Sequence, residues 1–391
     1  MLQHLPSILA IHFRPDQSMQ RASSVTGPAP DGSRTVSVTT AARSSARLTD
    51  LDRAKGIAIL LVVFGHLVPQ EDPAGLTWYD PLRIAIYLFH MPFFMYLSGY
   101  VTFWSGAATM PLRRWPRLAV RRAKRLLIPF FGFGCVILAA KLIASHVIQV
   151  DNVPSGLGSG LDSLFLHTAH SPATSVWYIG VLFVYVLATP LLLALPRIGR
   201  LPAEVPLIVV AIALYLIQAP PILYMDRVCR FFIFFVAGGL AARAGSAWWF
   251  VLDRFHLPAL LLLLGLLVFV GGGGVQFDWG MGADDQFPYK GWMLAAGLLS
   301  MVALHGLVRS VPFARWGWLI FVGNMCFAIY LLNTICLGLT KGIMLRFLPL
   351  HWNAQDFIPI AAAMMVAGVF GPILIKRYIL RYIPPLDRIT D

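Results

Sequence analysis

Long apolar runs separated by short polar loops leave few folds open to this chain. A run of about 20 apolar residues crosses the hydrocarbon of a bilayer as a helix, because no water is present there to take its backbone hydrogen bonds. Ten apolar segments can be placed, at 56–69, 82–103, 126–148, 174–195, 203–218, 230–243, 257–273, 291–308, 317–340 and 358–376. With 58% hydrophobic and 13% charged residues over 391 positions, the composition is too apolar for a soluble domain. The expected fold is all-α: a polytopic membrane helical bundle of about ten transmembrane helices.

Charge sets the orientation. Most of the 31 Lys and Arg residues fall before residue 56, between Arg113 and Arg125, in every second loop thereafter, and after Lys376. The positive-inside rule then places both termini in the cytoplasm. The outer loops carry the acids Glu71, Asp72, Asp80, Asp151, Asp162, Asp226, Asp278, Asp284, Asp285 and Asp356. The net charge of +13 therefore reflects topology, and with no aromatic-interleaved basic patch it does not point to nucleic acid. Cys135, Cys229, Cys326 and Cys336 lie in or beside apolar segments without CxxC spacing, which suits inert core residues. Residues 1–47, rich in Ser, Thr, Ala, Pro and Arg, read as a disordered cytoplasmic tail, with Met19 an alternative start. The short apolar run from Leu5 to Phe13 lacks the flanks of a signal peptide. Residues 48–380 form one transmembrane domain without internal repeats, and 381–391 a short cytoplasmic tail.

The first segment carries Lys55 and, eleven residues on, His66. At about 100° and 1.5 Å per residue, the two share a face roughly 16 Å apart, in one stripe with Asp52, Ile59 and Val62. An ionisable group inside a membrane helix marks a functional site, although an interhelical hydrogen bond would also accommodate a histidine. The second segment brings His90 in from the opposite side, followed by Pro92, Ser98 and Gly99. Pro92 and Gly99 suggest a helix break lining a cavity. A neutral imidazole can take a proton from a hydroxyl, which is general-base chemistry.

Between Arg113 and Pro129 lies the densest charge in the chain. Arg122 and Arg125 are i and i+3 at the start of a helix, with Arg121 and Lys124 beside them. Simple membrane anchoring would account for them, but four cations so grouped also suit a polyphosphate. An acyl-CoA fits this reading, its phosphates at the cluster and its pantetheine arm in the bundle.

Four motifs in order resemble the acyltransferase 3 family of integral-membrane O-acyltransferases. They are Lys55-x10-His66, then His90-Met-Pro-Phe-Phe with Leu97-Ser98-Gly99, then Arg122-x-x-Arg125 with Ile128-Pro129, and Trp177-Tyr178-Ile179. The lysine followed by Gly-Ile-Ala is similar to the exopolysaccharide and sugar acetyltransferase branch. The resemblance spans roughly residues 50–375. It implies that His66 is the catalytic histidine and that Arg122 and Arg125 hold the acyl donor on the cytoplasmic side. The family usually has arginine where Lys55 stands, and many relatives have histidine where Asn333 stands.

The expected site therefore has three parts: His66, as base or transient acyl carrier, with His90 and Ser98 for catalysis; Lys55, Arg121, Arg122, Lys124 and Arg125 for acyl-CoA; and Trp177, Arg227, Arg230, Asp284 and Asp285 for the acceptor. Asp278, Trp279 and Trp292 add acids and aromatics on the outer side, a mixture suited to a sugar or simply to a solvated loop. Arg227 and Arg230 either meet an anionic acceptor or pair with Asp226. His167 and His170, i and i+3, lack the carboxylate motif of a metal site. Gly271 to Gly274 reads as a helix end, since no Lys-Ser/Thr follows. No metal and no permanently bound cofactor are expected, with acetyl-CoA as co-substrate. The expected partners are the lipid bilayer, acyl-CoA, a saccharide or lipid-linked saccharide acceptor and polysaccharide-assembly proteins, in a bacterial inner membrane. The competing reading is a transporter or flippase whose histidines relay protons without covalent chemistry.

Overall fold

The computed structural model describes residues 34–68, 72–148, 150, 152–173, 175–195, 202–275, 287–383 and 387, with side chains described from Thr49 onward. The helices in chain order are α1 (Arg34–Gly65), α2 (Tyr79–Tyr87), α3 (His90–Trp104), α4 (Trp115–Arg122), α5 (Ile128–Ala144), α6 (Leu157–Phe165), α7 (Trp177–Leu193) and α8 (Glu204–Leu216). They continue as α9 (Met225–Ala244), α10 (Ser246–Phe269), α11 (Phe287–Leu307), α12 (Val311–Ala314), α13 (Gly317–Asn324), α14 (Cys326–Phe347) and α15 (Phe357–Tyr378). The described residues contain no strand, only isolated bridges joining Ala74 to Asn353 and His167 to Ile222. α1 begins at Arg34, inside the segment expected to be a disordered tail, while residues 1–33 lie outside the described residues.

The chain is a multi-pass membrane protein. Six helical stretches are long and apolar enough to cross a bilayer: Tyr79–Trp104, Leu112–Ala144, Ser246–Gly274, Pro288–Leu307, Cys326–Phe347 and Phe357–Tyr382. Trp177–Leu193 and Glu204–Leu216 are shorter apolar helices. The expected segments on α1 and α9 also fall on helices, but both helices carry charges and lie inside the bundle. Ala54, Ala58, Ile59 and Val63 on α1 and Phe234 and Phe235 on α9 are fully buried. α10 is the opposite case, with Phe250, Leu257, Leu261, Leu262 and Val268 exposed, as a lipid-facing helix requires.

Small residues bring the central helices into backbone contact. A Cβ on Gly99 of α3 would stand 1.9 Å from the Phe235 carbonyl oxygen of α9, and one on Gly238 of α9 the same distance from that of Tyr96. Gly323 of α13 is as tight, its hypothetical Cβ 1.8 Å from the Asp52 carbonyl oxygen of α1.

Four sequence expectations are corrected. The second segment breaks before His90, between α2 and α3, and not at Pro92 or Gly99. Pro92 lies in the first turn of α3, where its missing N–H would have had no partner within the helix. Gly99 serves the α3–α9 contact. Arg122 and Arg125 do not sit at a helix start: α4 passes through a π-helical turn, Ala123–Leu127, into α5. The ninth segment divides at Met325 into α13 and α14, where Gly323-Asn324 supplies two weak helix formers. Cys135 is exposed on α5 and not a core residue.

Candidate active site

The site is organised by the end of α1. The last carbonyls of a helix lack intrahelical partners, and here Tyr79 and Tyr87 of α2 bond two of them, with Arg83 between in one stripe at i, i+4 and i+8 reaching the chain just beyond. The Tyr79 hydroxyl donates to the Phe64 carbonyl at 2.8 Å, and the Tyr87 hydroxyl to that of Gly65 at 2.7 Å. Arg83 Nη1 donates to the Val68 carbonyl at 3.0 Å. Arg83 is itself held by an ion pair with Asp80 and lies 3.9 Å from Asp72. His66 sits inside this cradle, one residue past the end of α1 and half-buried. It therefore occupies a capped helix terminus instead of a helix interior, with Ile59 and Val62 buried below it.

His90, the first residue of α3, is buried, and its ring packs against Tyr87 with centroids 5.0 Å apart. Its Nδ1 is 2.9 Å from the Ile86 carbonyl, which can only accept, so Nδ1 carries the proton and Nε2 is an acceptor. His66 and His90 are near enough to interact through charge, as are His66 and Arg227. Arg227 stacks over Trp177 at 4.7 Å and lies 3.8 Å from Asp226. Trp177 and Arg227, expected on the acceptor side, are thus brought to the histidines. Arg230, a turn further along α9, is buried and acts electrostatically on Tyr215. Asp284 and Asp285, like Asp278 and Trp279, lie outside the described residues.

His66 forms part of the wall of a cleft between α5 and α14. Ile137, Ala140, Ala144, Ile335, Leu337 and Met364 make most of its surface apolar. Lys141 of α5 and Thr334 and Lys341 of α14 are polar residues on the same walls. Sequence reading overlooked both lysines, because each is a lone cation inside an apolar helix and no short motif contains the pair.

The cationic residues expected for the donor fall into two places. Arg125 and Arg121 both act electrostatically on Arg122 around the π-helical turn, a feature frequent at functional sites. Arg122 and Arg125 are half-buried while Arg121 and Lys124 are exposed. Lys55 lies on α1, paired with Asp52 at 3.0 Å.

Other expected residues have structural partners. Ser98 donates to the Phe94 carbonyl at 3.0 Å and accepts a close hydrogen bond from Tyr178, so it ties α3 to α7 and does not line the cleft. Asn333 is fully buried; its amide donates to the Ile329 and Tyr330 carbonyls, and its Oδ1 has no partner among the described residues. His167 pairs with Asp162 at 2.9 Å on the surface. The described residues hold no cluster of three or more metal-ligating side chains. A fully buried histidine not anticipated from sequence, His305 of α11, bonds Tyr96 through Nδ1 at 2.6 Å.

Comparison with known proteins agrees with this architecture. Residues 48–377 match the family described as an acyltransferase domain. The nodulation protein NolL of Mesorhizobium japonicum is 26% identical over 337 residues, covering 81% of this chain and 83% of that protein. The NolL of Sinorhizobium fredii is 40% identical over 95 residues, 24% of this chain and 25% of its own length. No solved structure matches the chain with significance. A family match over nearly the whole membrane part, on a helical bundle of this kind, places the chain in the acyltransferase 3 family of integral-membrane O-acyltransferases.

Proposed function

We propose that this enzyme transfers an acyl group, most simply acetyl, from acyl-CoA to a saccharide hydroxyl during exopolysaccharide or cell-surface glycan modification in a bacterial inner membrane. The observation that carries the reading is His66, held at the wall of a cleft by three side chains of α2, with a polybasic turn elsewhere on the bundle. The cluster around Arg122 and Arg125 suits the phosphates of the donor from the cytoplasmic side, aided by Lys55. Polysaccharide-assembly proteins would supply the acceptor.

In the proposed step the His66 imidazole removes the proton of the acceptor hydroxyl as its oxygen attacks the thioester carbonyl. The carbon–sulfur bond then breaks, the thiolate leaves, and the imidazolium returns its proton to the sulfur. Arg227 supplies positive charge beside the imidazole, where negative charge on the carbonyl oxygen would be stabilised. His90 keeps Nε2 available as an acceptor near His66. The transport alternative involves no consumption of acyl-CoA, and membership in an acyltransferase family weighs against it.

Purified enzyme carrying His66→Ala should transfer acetyl from acetyl-CoA to its saccharide about 10³-fold more slowly, in the range that general acid–base catalysis supplies. An unchanged rate would remove His66 from the chemistry. Arg122→Ala with Arg125→Ala should weaken coenzyme A binding, measured by calorimetry, about tenfold or more. Equal affinity in wild type and double variant would return these residues to membrane anchoring.

A further inference from the structure

The chemistry of the His66 cleft says more about the acceptor than a hydroxyl alone. On α5 the lining residues Ile137, Ala140, Lys141 and Ala144 follow helical spacing, so one face of that helix forms one wall, with Ile148 just beyond its end. On α14 Thr334, Leu337, Gly338 and Lys341 do the same for the opposite wall. Lys141 and Lys341 therefore line one cleft from two helices, and none of the described lining residues is acidic. Lys341 is buried, with its ammonium 4.1 Å from the Trp352 ring, so its position is defined by packing.

This cationic pair is separate from the polybasic turn. Lys141 follows Arg125 by sixteen residues on a continuous helical stretch, about 24 Å along the axis and close to the thickness of the hydrocarbon core. One set of coenzyme A phosphates seated at Arg122 and Arg125 does not also occupy the lysines. The cleft is otherwise apolar and adjoins lipid: Leu339 lines it and is exposed, as are Ile143 and Ile343 nearby on the same helices. Such a lining suits an amphiphile with an anionic head.

We infer that the acceptor is a lipid-linked saccharide whose phosphate sits between Lys141 and Lys341, with its aliphatic chain along the apolar wall toward the bilayer and its sugar at His66. The inference rests on the reading of His66 as the reacting base, but its test requires no turnover. A charge-assisted hydrogen bond from each ammonium to phosphate oxygens supplies the affinity for the head, and Thr334 adds a hydroxyl to the same wall.

The test is binding of a polyprenyl phosphate to the full-length protein in nanodiscs, beside the matching uncharged polyprenol and coenzyme A. The polyprenyl phosphate should bind at least tenfold more tightly than the polyprenol, and Lys141→Gln with Lys341→Gln should remove that preference while coenzyme A affinity stays within twofold, on the order of one lost charged contact per lysine. Lys341→Arg, which keeps the charge, should retain the preference. A Cβ at Gly338 meets nothing within 4 Å, so Gly338→Phe should fill the cleft without backbone strain and exclude both lipids. Equal binding of phosphate and alcohol would overturn the anionic assignment. Loss of coenzyme A binding in the lysine variant would give the cleft to the donor and overturn it too, as would undiminished lipid binding by Gly338→Phe. If instead these results hold and His66→Ala transfers acetyl at the normal rate, the reading of the base fails while the lipid site stands.

Discussion

Two histidine sites among the described residues of this bundle differ in every respect that bears on reactivity. His66 is half-buried at a helix end, on the wall of a cleft, beside Arg227 and His90. His305 is fully buried between the aromatic rings of Tyr96, Tyr100 and Trp249. Trp248 Nε1 donates to the Tyr96 hydroxyl at 2.8 Å, and that hydroxyl is also hydrogen-bonded to His305 Nδ1. One turn on, Arg309 stacks over Trp249 at 3.8 Å and pairs with Asp50 at 2.8 Å and Asp253 at 3.1 Å, tying α1, α10 and α11 together. A histidine inside a membrane protein is thus no sign of chemistry by itself. His66 is fixed from behind through backbone carbonyls and leaves its ring facing space, whereas the ring of His305 is itself the fixed part.

Substitutions should separate the two sites by what they damage. The largest effect is expected for His66→Asn, which should lower the transfer rate about 10³-fold while leaving thermal stability in detergent unchanged. His305→Ala should do the reverse, destabilising the fold by about 2–4 kcal/mol through a cavity and a lost Tyr96 hydrogen bond, with normal turnover per folded molecule. If His305→Ala kept full stability but lost activity, the contrast between the sites would collapse. Tyr87→Phe should sharpen it: losing the hydrogen bond to the Gly65 carbonyl loosens the cradle, lowering kcat about tenfold with little change in coenzyme A affinity. An unaltered kcat would show that Tyr79 and Arg83 hold His66 without help.

The smallest effect is expected in the loop behind His66. Burial and the neighbouring Asp80 push the Asp72 carboxyl above its usual value, and Arg83 only partly offsets them. Because the folded value is raised, the contribution of Asp72 to stability is complete below its unfolded value of about 3.9 and is lost as pH rises through the folded value. Asp72→Asn should therefore raise Tm slightly at neutral pH and flatten its decline over the carboxylate range. A Tm profile identical to wild type would place Asp72 in effectively free solvent.

Much of this was legible in the chain itself. Lys55, Ile59, Val62 and His66 keep helical spacing, and the structure leaves them on one helix with the aliphatic pair buried. Trp177 stands out through its motif and Arg227 as an out-of-place cation, and the fold brings them together. Tyr79, Arg83 and Tyr87 were overlooked although their i, i+4, i+8 spacing is plain, because what they bond is backbone, and a carbonyl leaves no mark in a sequence. Ser98 was placed in the site by its neighbours in a motif, and its hydroxyl instead bridges Phe94 and Tyr178. His305 escaped attention for a related reason: its partner Tyr96 lies on another helix.

The amino-acid sequence by itself determined that the chain is a membrane helical bundle of the acyltransferase 3 family. Apolar length and helical period act locally, and the four motifs each sit within one short segment. Only the tertiary structure decided which ionisable groups face open space. Lys141 and Lys341 stand far apart in the chain and share one cleft because α5 and α14 pack side by side, and such a meeting depends on helix packing that no local pattern encodes.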